Sequence, residues 1–173
     1  MRPKKEQPEF EQQIVDLARV TRVMAGGKRM RFRACVVIGD KKGRVGVGLA
    51  KGKDVSLAVS KAVAKAEKNL IKVDVSSGTI AHEIYVKVGA AKVFLKPAPE
   101  GTGIISGGAV RIVLELAGVK NVVSKIMGTN SKVNNVDATI KALSSLKKVN
   151  RKVKTENVPA KPKDEEIIQE DKK

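Results

Sequence analysis

The chain has 173 residues and carries 35 Lys and Arg against 18 Asp and Glu, a formal charge of +17. This charge indicates a polyanionic partner, because each cation that neutralises a phosphate releases condensed counterions. A membrane surface is disfavoured as that partner: the sequence has no amphipathic helix with Trp or Phe, no lipid-anchor motif and no stretch near the roughly 18 apolar residues of a membrane span.

The first predicted elements are an N-terminal extension, residues 1–16, and then two strands. The polar extension is expected to end in a short helix around Glu9–Leu17. Apolar residues alternate over 32–38, which is typical of a half-buried strand, and Gly39–Gly43 predicts a hairpin turn. The alternation resumes over 45–49, where two glycines on the opposite face allow another backbone to come close.

An amphipathic helix is predicted after these strands. Asp54 is suited to accept a backbone N–H at the helix start. The apolar face is expected to hold Val55, Val59, Ala62, Val63, Ala66 and Leu70, with lysines on another face. Strands followed by one helix predict a first domain over 17–74, with the junction in Val73–Gly78.

A second domain is predicted over 79–148. Strands are expected over Ile80–Val88 and Val93–Leu95, joined by a tight turn at Gly89–Ala91. The glycine-rich segment Glu100–Gly108 follows them.

Beyond this segment, Ala109–Ala117 is apolar almost all round and predicts a buried helix that Gly118 ends. Val119–Met127 is a strand candidate, and Asn135 is the expected cap of a last helix. Residues 149–173 mix charges with few apolar residues, which predicts a disordered tail.

A run of positive charge in the first domain is the strongest local feature. It comprises Arg19, Arg22, Lys28, Arg29, Arg31, Arg33, Lys41, Lys42, Arg44, Lys51 and Lys53, and only Asp40 opposes it. A solvated strand face is the alternative, but such faces normally mix signs, since uncompensated like charge destabilises the compact state. We therefore expect a nucleic-acid face.

The scarcity of aromatic residues indicates which kind of nucleic acid such a face would bind. Phe32 is the only aromatic between residues 11 and 84, which disfavours base stacking on single strands. Contacts to phosphates and 2′-hydroxyls of structured RNA fit better. The Gly26-Gly27 loop would lie close to that backbone, a plain turn being the alternative.

Residues for catalysis are sparse. Gly101–Gly108 has Ser106 where a dinucleotide motif needs glycine, so a structural or phosphate-backbone role is favoured over nucleotide binding. His82 stands alone and Cys35 is the only cysteine, which excludes a zinc site built from His and Cys and favours a reducing compartment. We expect no enzymatic activity, no cofactor and no metal, in a soluble cytoplasmic protein.

Two long motifs resemble the family of the fifth protein of the bacterial small ribosomal subunit. The first runs over Gly27–Gly48 and continues through Lys51–Val55. The second runs over Glu100–Arg111 and continues through Leu114–Val119. The resemblance covers the chain from roughly Phe10 to Leu146, and two long motifs in the same order are more specific than any single glycine pattern.

The resemblance implies an α+β fold and a structural role. An N-terminal domain like double-stranded-RNA-binding domains, an antiparallel sheet plus a helix, would precede a two-layer α/β C-terminal domain. The chain would be a constituent of the small ribosomal subunit that binds its ribosomal RNA and supports translational accuracy near the messenger RNA entry channel. Its implied neighbours are small-subunit proteins four and eight, with no membrane and no second copy of the chain.

The resemblance places RNA contacts at Val20-Thr21-Arg22 and the Gly26-Gly27-Lys28 loop, and the charge pattern adds the other basic residues of the first domain. The RNA-binding set is Arg19, Val20, Thr21, Arg22, Gly26, Gly27, Lys28, Arg29, Arg31, Arg33, Lys42, Arg44, Lys51 and Lys53. The protein-facing set is Glu100, Gly101, Thr102, Gly103, Ile104 and Arg111. Two alternatives stay open: a double-stranded RNA module acting outside the ribosome, and a small-molecule phosphotransferase using Gly101–Gly108, since some such kinases share the second domain's fold.

Overall fold

A computed structural model describes residues 10–75 and 78–147. Within these residues the chain forms two four-stranded sheets and three helices, an α+β architecture as expected. The predicted tail, 149–173, lies outside the described residues. So do Ser76 and Ser77 of the predicted junction and most of the N-terminal extension.

The first sheet is antiparallel throughout, with the strand order β1-β2-β3-β4. Its elements are β1 (Glu11–Met24), β2 (Gly27–Gly39), β3 (Arg44–Gly52), helix α1 (Val55–Lys68) and β4 (Leu70–Lys72). The predicted hairpin turn over 39–43 and the predicted helix are confirmed. Leu70, expected on the helix, belongs instead to the short strand β4, which was not predicted.

The helix expected around Glu9–Leu17 is wrong, because the described residues Glu11–Leu17 form the start of the long strand β1. Nearly every residue of β1 has a partner on β2, from Glu11 opposite Gly39 to Met24 opposite Gly27. The register shifts between Ile14 and Asp16, at a β-bulge that leaves Val15 buried. This long-range pairing overrides a weak local helix preference, and the bulge breaks the alternation that would have marked a strand.

Helix α1 packs directly against two glycines of β3, Gly46 and Gly48. A Cβ added at Gly48 would lie 1.9 Å from the carbonyl oxygen of Ala62, and one at Gly46 would lie 2.6 Å from that of Ala66. The predicted close approach of a backbone is therefore that of α1. The contact buries a compact apolar cluster of Ala34, Val36, Ile38, Ala58, Ala62 and Ala66.

The other face of the first sheet packs against the second half of the chain. Val37 and Val45 are fully buried in one cluster with residues of the second half such as Leu114. The turn after β2 is also tied to that half, since the backbone N–H of Lys41 donates to the carbonyl of Leu116 at 3.0 Å. The central part of β2 is consequently buried on both faces, where the alternation had predicted burial on one.

The second sheet is mixed, with the order β5-β6-β8-β7 and only β7 parallel to its neighbour. Its elements are β5 (Ile84–Val88), β6 (Ala91–Pro97), β7 (Ile104–Ile105), helix α2 (Gly108–Ala117), β8 (Val122–Ile126) and helix α3 (Lys132–Ser144). One face of this sheet is buried with α2 and α3, which gives the expected two layers.

The ends of the two helices differ in how well they were predicted. Gly118 ends α2 as expected, with a left-handed φ of 86° that glycine adopts without strain. Asn135 is not the cap of α3, because that helix begins three residues earlier, after Ser131. Asn135 is buried within the helix, where its side-chain amide donates to the carbonyl of Thr129 at 3.1 Å. Asn135 therefore ties the interior of α3 to the residues before the helix rather than capping its end.

Candidate nucleic-acid interface

A two-stranded ribbon projects from the first sheet. Strand β3 ends at Gly52, opposite Phe32, whereas β1 and β2 continue as a pair to a turn at Ala25-Gly26. Every residue from Thr21 to Arg31 is exposed. At strand spacing the ribbon extends roughly 17 Å beyond the end of β3. It therefore offers a narrow projecting surface to a partner.

One face of this ribbon concentrates positive charge. Arg22 lies directly opposite Arg29, and Arg31 lies opposite Val20, so their side chains share one face. Lys51 adjoins this face at the base of the ribbon, opposite Arg33. A groove of about 270 Å³ lies here, lined by Val20, Thr21, Arg22, Arg29, Arg31 and Lys51. We call Arg22, Arg29, Arg31 and Lys51 the basic face.

The basic face is electrostatically unfavourable in the isolated chain. Like charges directly opposite each other on neighbouring strands are destabilising, and Arg22 with Arg29 forms such a pair. None of the four cations has an acidic partner among residues 10–75 and 78–147. A polyanion laid on this face would supply the missing counter-charge.

Arg33 differs from the basic face because a carboxylate already neutralises it. Its guanidinium donates to Asp16 at 3.2 Å, and Lys132 of α3 lies 3.7 Å from the same carboxylate. Both Arg33 and Asp16 are partly buried. This arrangement anchors the ribbon's base to the second half of the chain.

The structure places the other predicted RNA-binding cations at three positions. Arg19 and Lys28 lie on the opposite face of the ribbon, and Lys53 is exposed just beyond the end of β3. Lys42 and Arg44 lie at the far end of β2, about 40 Å from the ribbon tip at strand spacing. The full set is therefore not a single surface.

Arg44 also has local partners. It binds Asp40 at 2.6 Å, and its guanidinium lies 4.9 Å from the centre of the Phe10 ring. Burial alone would raise the pKa of Asp40, but hydrogen bonds from the Arg44 side chain and from the backbone N–H groups of Arg44 and Lys42 outweigh it and lower the pKa. Asp40 thus stays charged and holds the turn between β2 and β3.

Exposed apolar side chains at the ribbon tip were not singled out from the sequence. Val23 is 73% exposed, and Met24 and Met30 are about half exposed. These side chains belong to neither apolar core in the described part of the chain, and clustered exposed apolar side chains are typical of contact surfaces. A signal was available: the apolar residues over 20–30 do not keep the strict alternation of a strand with one buried face.

The predicted protein-facing residues lie in and after the loop between β6 and α2. Gly101 and Gly103 have left-handed φ values of 90° and 72°. The loop is fixed at Gly103, whose N–H donates to the side chain of Asn121 at 3.1 Å and whose carbonyl accepts from Val122 at 3.1 Å. Thr102 and Ile104 are half-buried, while Glu100 is exposed. Strand β7, which was not predicted, begins at Ile104.

Arg111 lies on the exposed side of α2. It pairs with Glu115 at 2.7 Å, as the four-residue spacing predicts. Gly107 caps this helix without a side chain, and a Cβ there would lie 2.6 Å from the Ile126 side chain. The contact is with the end of the Ile126 side chain, which can rotate away, so packing alone does not require glycine at this position.

Among the described residues, the side chains that a catalytic or metal site would need do not lie close together. No group of His, Cys, Asp and Glu among the described residues could hold a metal ion. Cys35 is buried, and burial, with the charges of Asp137 and Asp16, raises the pKa of its thiol to about 11. It is therefore a poor nucleophile. No helix within the described ranges is long and apolar enough to cross a membrane.

The fold defines a two-layered α+β protein whose projecting ribbon carries a basic face, and comparison with known proteins gives its family. Residues 10–74 match the family model described as ribosomal protein S5, N-terminal domain, and residues 86–156 match ribosomal protein S5, C-terminal domain. The chain belongs to the ribosomal protein S5 family. It is a structural ribosomal protein and not an enzyme, which confirms the resemblance and excludes the phosphotransferase alternative.

Individual relatives agree along most of the chain. Small ribosomal subunit protein uS5 from Campylobacter jejuni, strain 81-176, is 52% identical over 139 residues, which is 80% of this chain and 95% of the relative. Small ribosomal subunit protein uS5c from Emiliania huxleyi is 53% identical over 140 residues, 80% of this chain and 88% of the relative.

Proposed function

We propose that the chain is a component of the small ribosomal subunit that binds small-subunit ribosomal RNA through the basic face of the β1–β2 ribbon. The observation that carries this proposal is the Arg22–Arg29 pair, flanked by Arg31 and Lys51, on a projecting surface without a carboxylate partner within the described chain. Assembly into that subunit implies the cytoplasmic location expected from the sequence.

The ribbon would recognise RNA mainly by shape and charge. Its basic face carries no aromatic ring, so phosphates and 2′-hydroxyls are the expected contacts rather than stacked bases. Arg19 and Lys28 would reach RNA from the other face of the ribbon, with Gly26 and Gly27 at its tip. Lys53 would extend the basic face at its base, while Lys42 and Arg44 would form a separate contact at the far end of the sheet.

The second half of the chain would face neighbouring proteins. The loop at Glu100–Ile104 and the exposed side chain of Arg111 are the proposed interface, since the loop is held at Gly103 yet leaves Glu100 exposed. Small-subunit proteins four and eight are the proposed neighbours, near the messenger RNA entry channel. Through this contact the chain would influence translational accuracy.

The RNA proposal is tested by the salt dependence of binding. We would compare the wild type with a triple variant, Arg22→Ala, Arg29→Ala and Arg31→Ala, on transcribed small-subunit ribosomal RNA. Each lost phosphate contact should make the negative slope of log K against log salt shallower by about 0.7–0.9, so the slope of the triple variant should be shallower by roughly 2–3.

The matched control replaces three exposed lysines on and just after α1 in place of the three arginines: Lys61→Ala, Lys68→Ala and Lys72→Ala. Its net charge equals that of the triple variant, so a general charge effect would weaken both alike. Equal loss in the two variants, or none in the first, would contradict the assignment of the basic face. Circular dichroism would show that both variants fold.

The interface proposal needs a separate measurement. Arg111→Ala should change misreading of a reporter codon in cells that depend on the variant chain, while the affinity for ribosomal RNA stays that of the wild type. Lys120→Ala, at another exposed position of the second half, is the control and should leave misreading unchanged. Wild-type misreading in the Arg111 variant would contradict the proposed interface.

A further inference from the structure

The second sheet has an outer face that its helices leave uncovered. Residues on the other face, such as Val93, Leu95 and Val122, are fully buried with α2 and α3. On the outer face, by contrast, Tyr85 is 53% exposed and Ile105 is 56% exposed. This outer face is separate from the ribbon of the first sheet.

Two aromatic residues share this outer face. Tyr85 of β5 lies directly opposite Phe94 of β6, so their side chains are cross-strand neighbours. Phe94 is partly exposed and contributes to neither apolar core of the chain. A surface pair of rings without a packing role among the described residues is a platform on which another flat group can stack.

Lysines surround the two rings. Lys87 lies opposite Lys92, Lys125 lies opposite Phe94, and Lys96 lies one row further along β6. The strands of this sheet contain no Asp or Glu, and Glu83, at the rim before β5, is the nearest acidic residue in sequence. None of the four lysines has an ion-pair partner in the described part of the chain.

We propose that this outer face is a second RNA-binding surface, which takes unpaired nucleotides by stacking bases on Tyr85 and Phe94 while the surrounding lysines contact the phosphates. Aromatic rings combined with a basic surface are what single-strand binding requires. A protein partner is the less favoured occupant, because lysine is depleted in protein–protein interfaces. This surface would therefore bind unpaired nucleotides, whereas the ribbon, which has positive charge but no exposed aromatic ring, would bind structured RNA.

The chain contains its own reporter for this surface. Tyr85 is its only tyrosine, and there is no tryptophan, so the intrinsic emission of the full chain comes from this one ring. A base stacked on Tyr85 should quench that emission. We would titrate the full chain with an unstructured oligouridylate of about 12 nucleotides, a length within the range of single-strand sites, and correct for RNA absorbance with free N-acetyltyrosinamide.

Three variants make the titration specific. Phe94→Leu keeps an apolar side chain but removes the ring, and should weaken the quenching affinity about tenfold. Lys92→Gln with Lys125→Gln should weaken it and flatten its salt dependence. The ribbon variant Arg22→Ala, Arg29→Ala and Arg31→Ala should leave the quenching unchanged, which separates this surface from the one proposed above.

The proposal is overturned if Tyr85 emission stays constant at RNA concentrations that saturate the anisotropy of the same labelled oligonucleotide. It is equally overturned if polyglutamate quenches as strongly as RNA, since the surface would then bind acidic chains rather than bases. Phe94→Leu binding as tightly as the wild type, with an unchanged circular dichroism spectrum, would also overturn it.

Discussion

Gly48→Ala should force helix α1 off the first sheet. The added Cβ would lie 1.9 Å from the carbonyl oxygen of Ala62 and 2.9 Å from its carbonyl carbon, whereas real Cβ contacts do not fall below 3.0 Å. These are backbone atoms, so no side chain can rotate away and the whole helix must move by about 1 Å. That movement would open the cluster of Ala34, Val36 and Ile38 against the alanines of α1.

The cost should lie at the upper end of overpacking, about 3 kcal/mol, because the clash is with backbone on the buried side of a helix. For a domain of this size such a loss lowers the melting temperature by roughly 6–12 °C. Thermal unfolding followed by circular dichroism measures it. Gly27→Ala is the control, since a Cβ there meets nothing within 4 Å, and its stability should stay within about 0.5 kcal/mol of the wild type. Equal melting temperatures for the two variants would refute the packing argument.

Two further predictions concern titratable groups. The folded state lowers the pKa of Asp40 below its ordinary value of 3.8, so its stabilising contribution is complete above that value and is lost as the pH falls through the folded pKa. Urea unfolding at a series of acidic pH values should therefore show a steeper loss for the wild type than for Asp40→Asn, and parallel curves would contradict this. Cys35 is buried with its pKa raised to about 11, so a thiol reagent at mildly alkaline pH should label it only when the chain unfolds. Rapid labelling of the native chain would show that the thiol is accessible.

Sequence patterns were sufficient for the elements that are defined by residues close together along the chain. The turn over 39–43, α1 and α2 with its terminal Gly118 all follow from residues close in sequence. Strand β1 could not be found in this way. Its distal half is exposed on both faces, its bulge interrupts the alternation, and its partner β2 is fixed only by long-range pairing.

The candidate surfaces could likewise be predicted from the sequence only in part. The excess of cations could be read directly from the sequence, but Arg22 and Arg33 could not be distinguished there, because only folding brings Asp16 to Arg33. The pairing of Tyr85 with Phe94 could have been predicted from the sequence. A two-residue turn at Gly89-Ala90 places Val88 opposite Ala91, and counting outward from that pair gives the aromatic neighbours.

Sedimentation of the tagged chain from a cell lysate through a sucrose gradient tests the central claim most directly. The wild type should comigrate with small ribosomal subunits at moderate salt, and so should the variant with Lys61, Lys68 and Lys72 changed to Ala. The variant with Arg22→Ala, Arg29→Ala and Arg31→Ala should shift toward the light fractions. If that variant remained with the subunits like the wild type, the basic face would not be what binds the chain to the ribosome. A wild type confined to RNA-free fractions would contradict the ribosomal assignment itself.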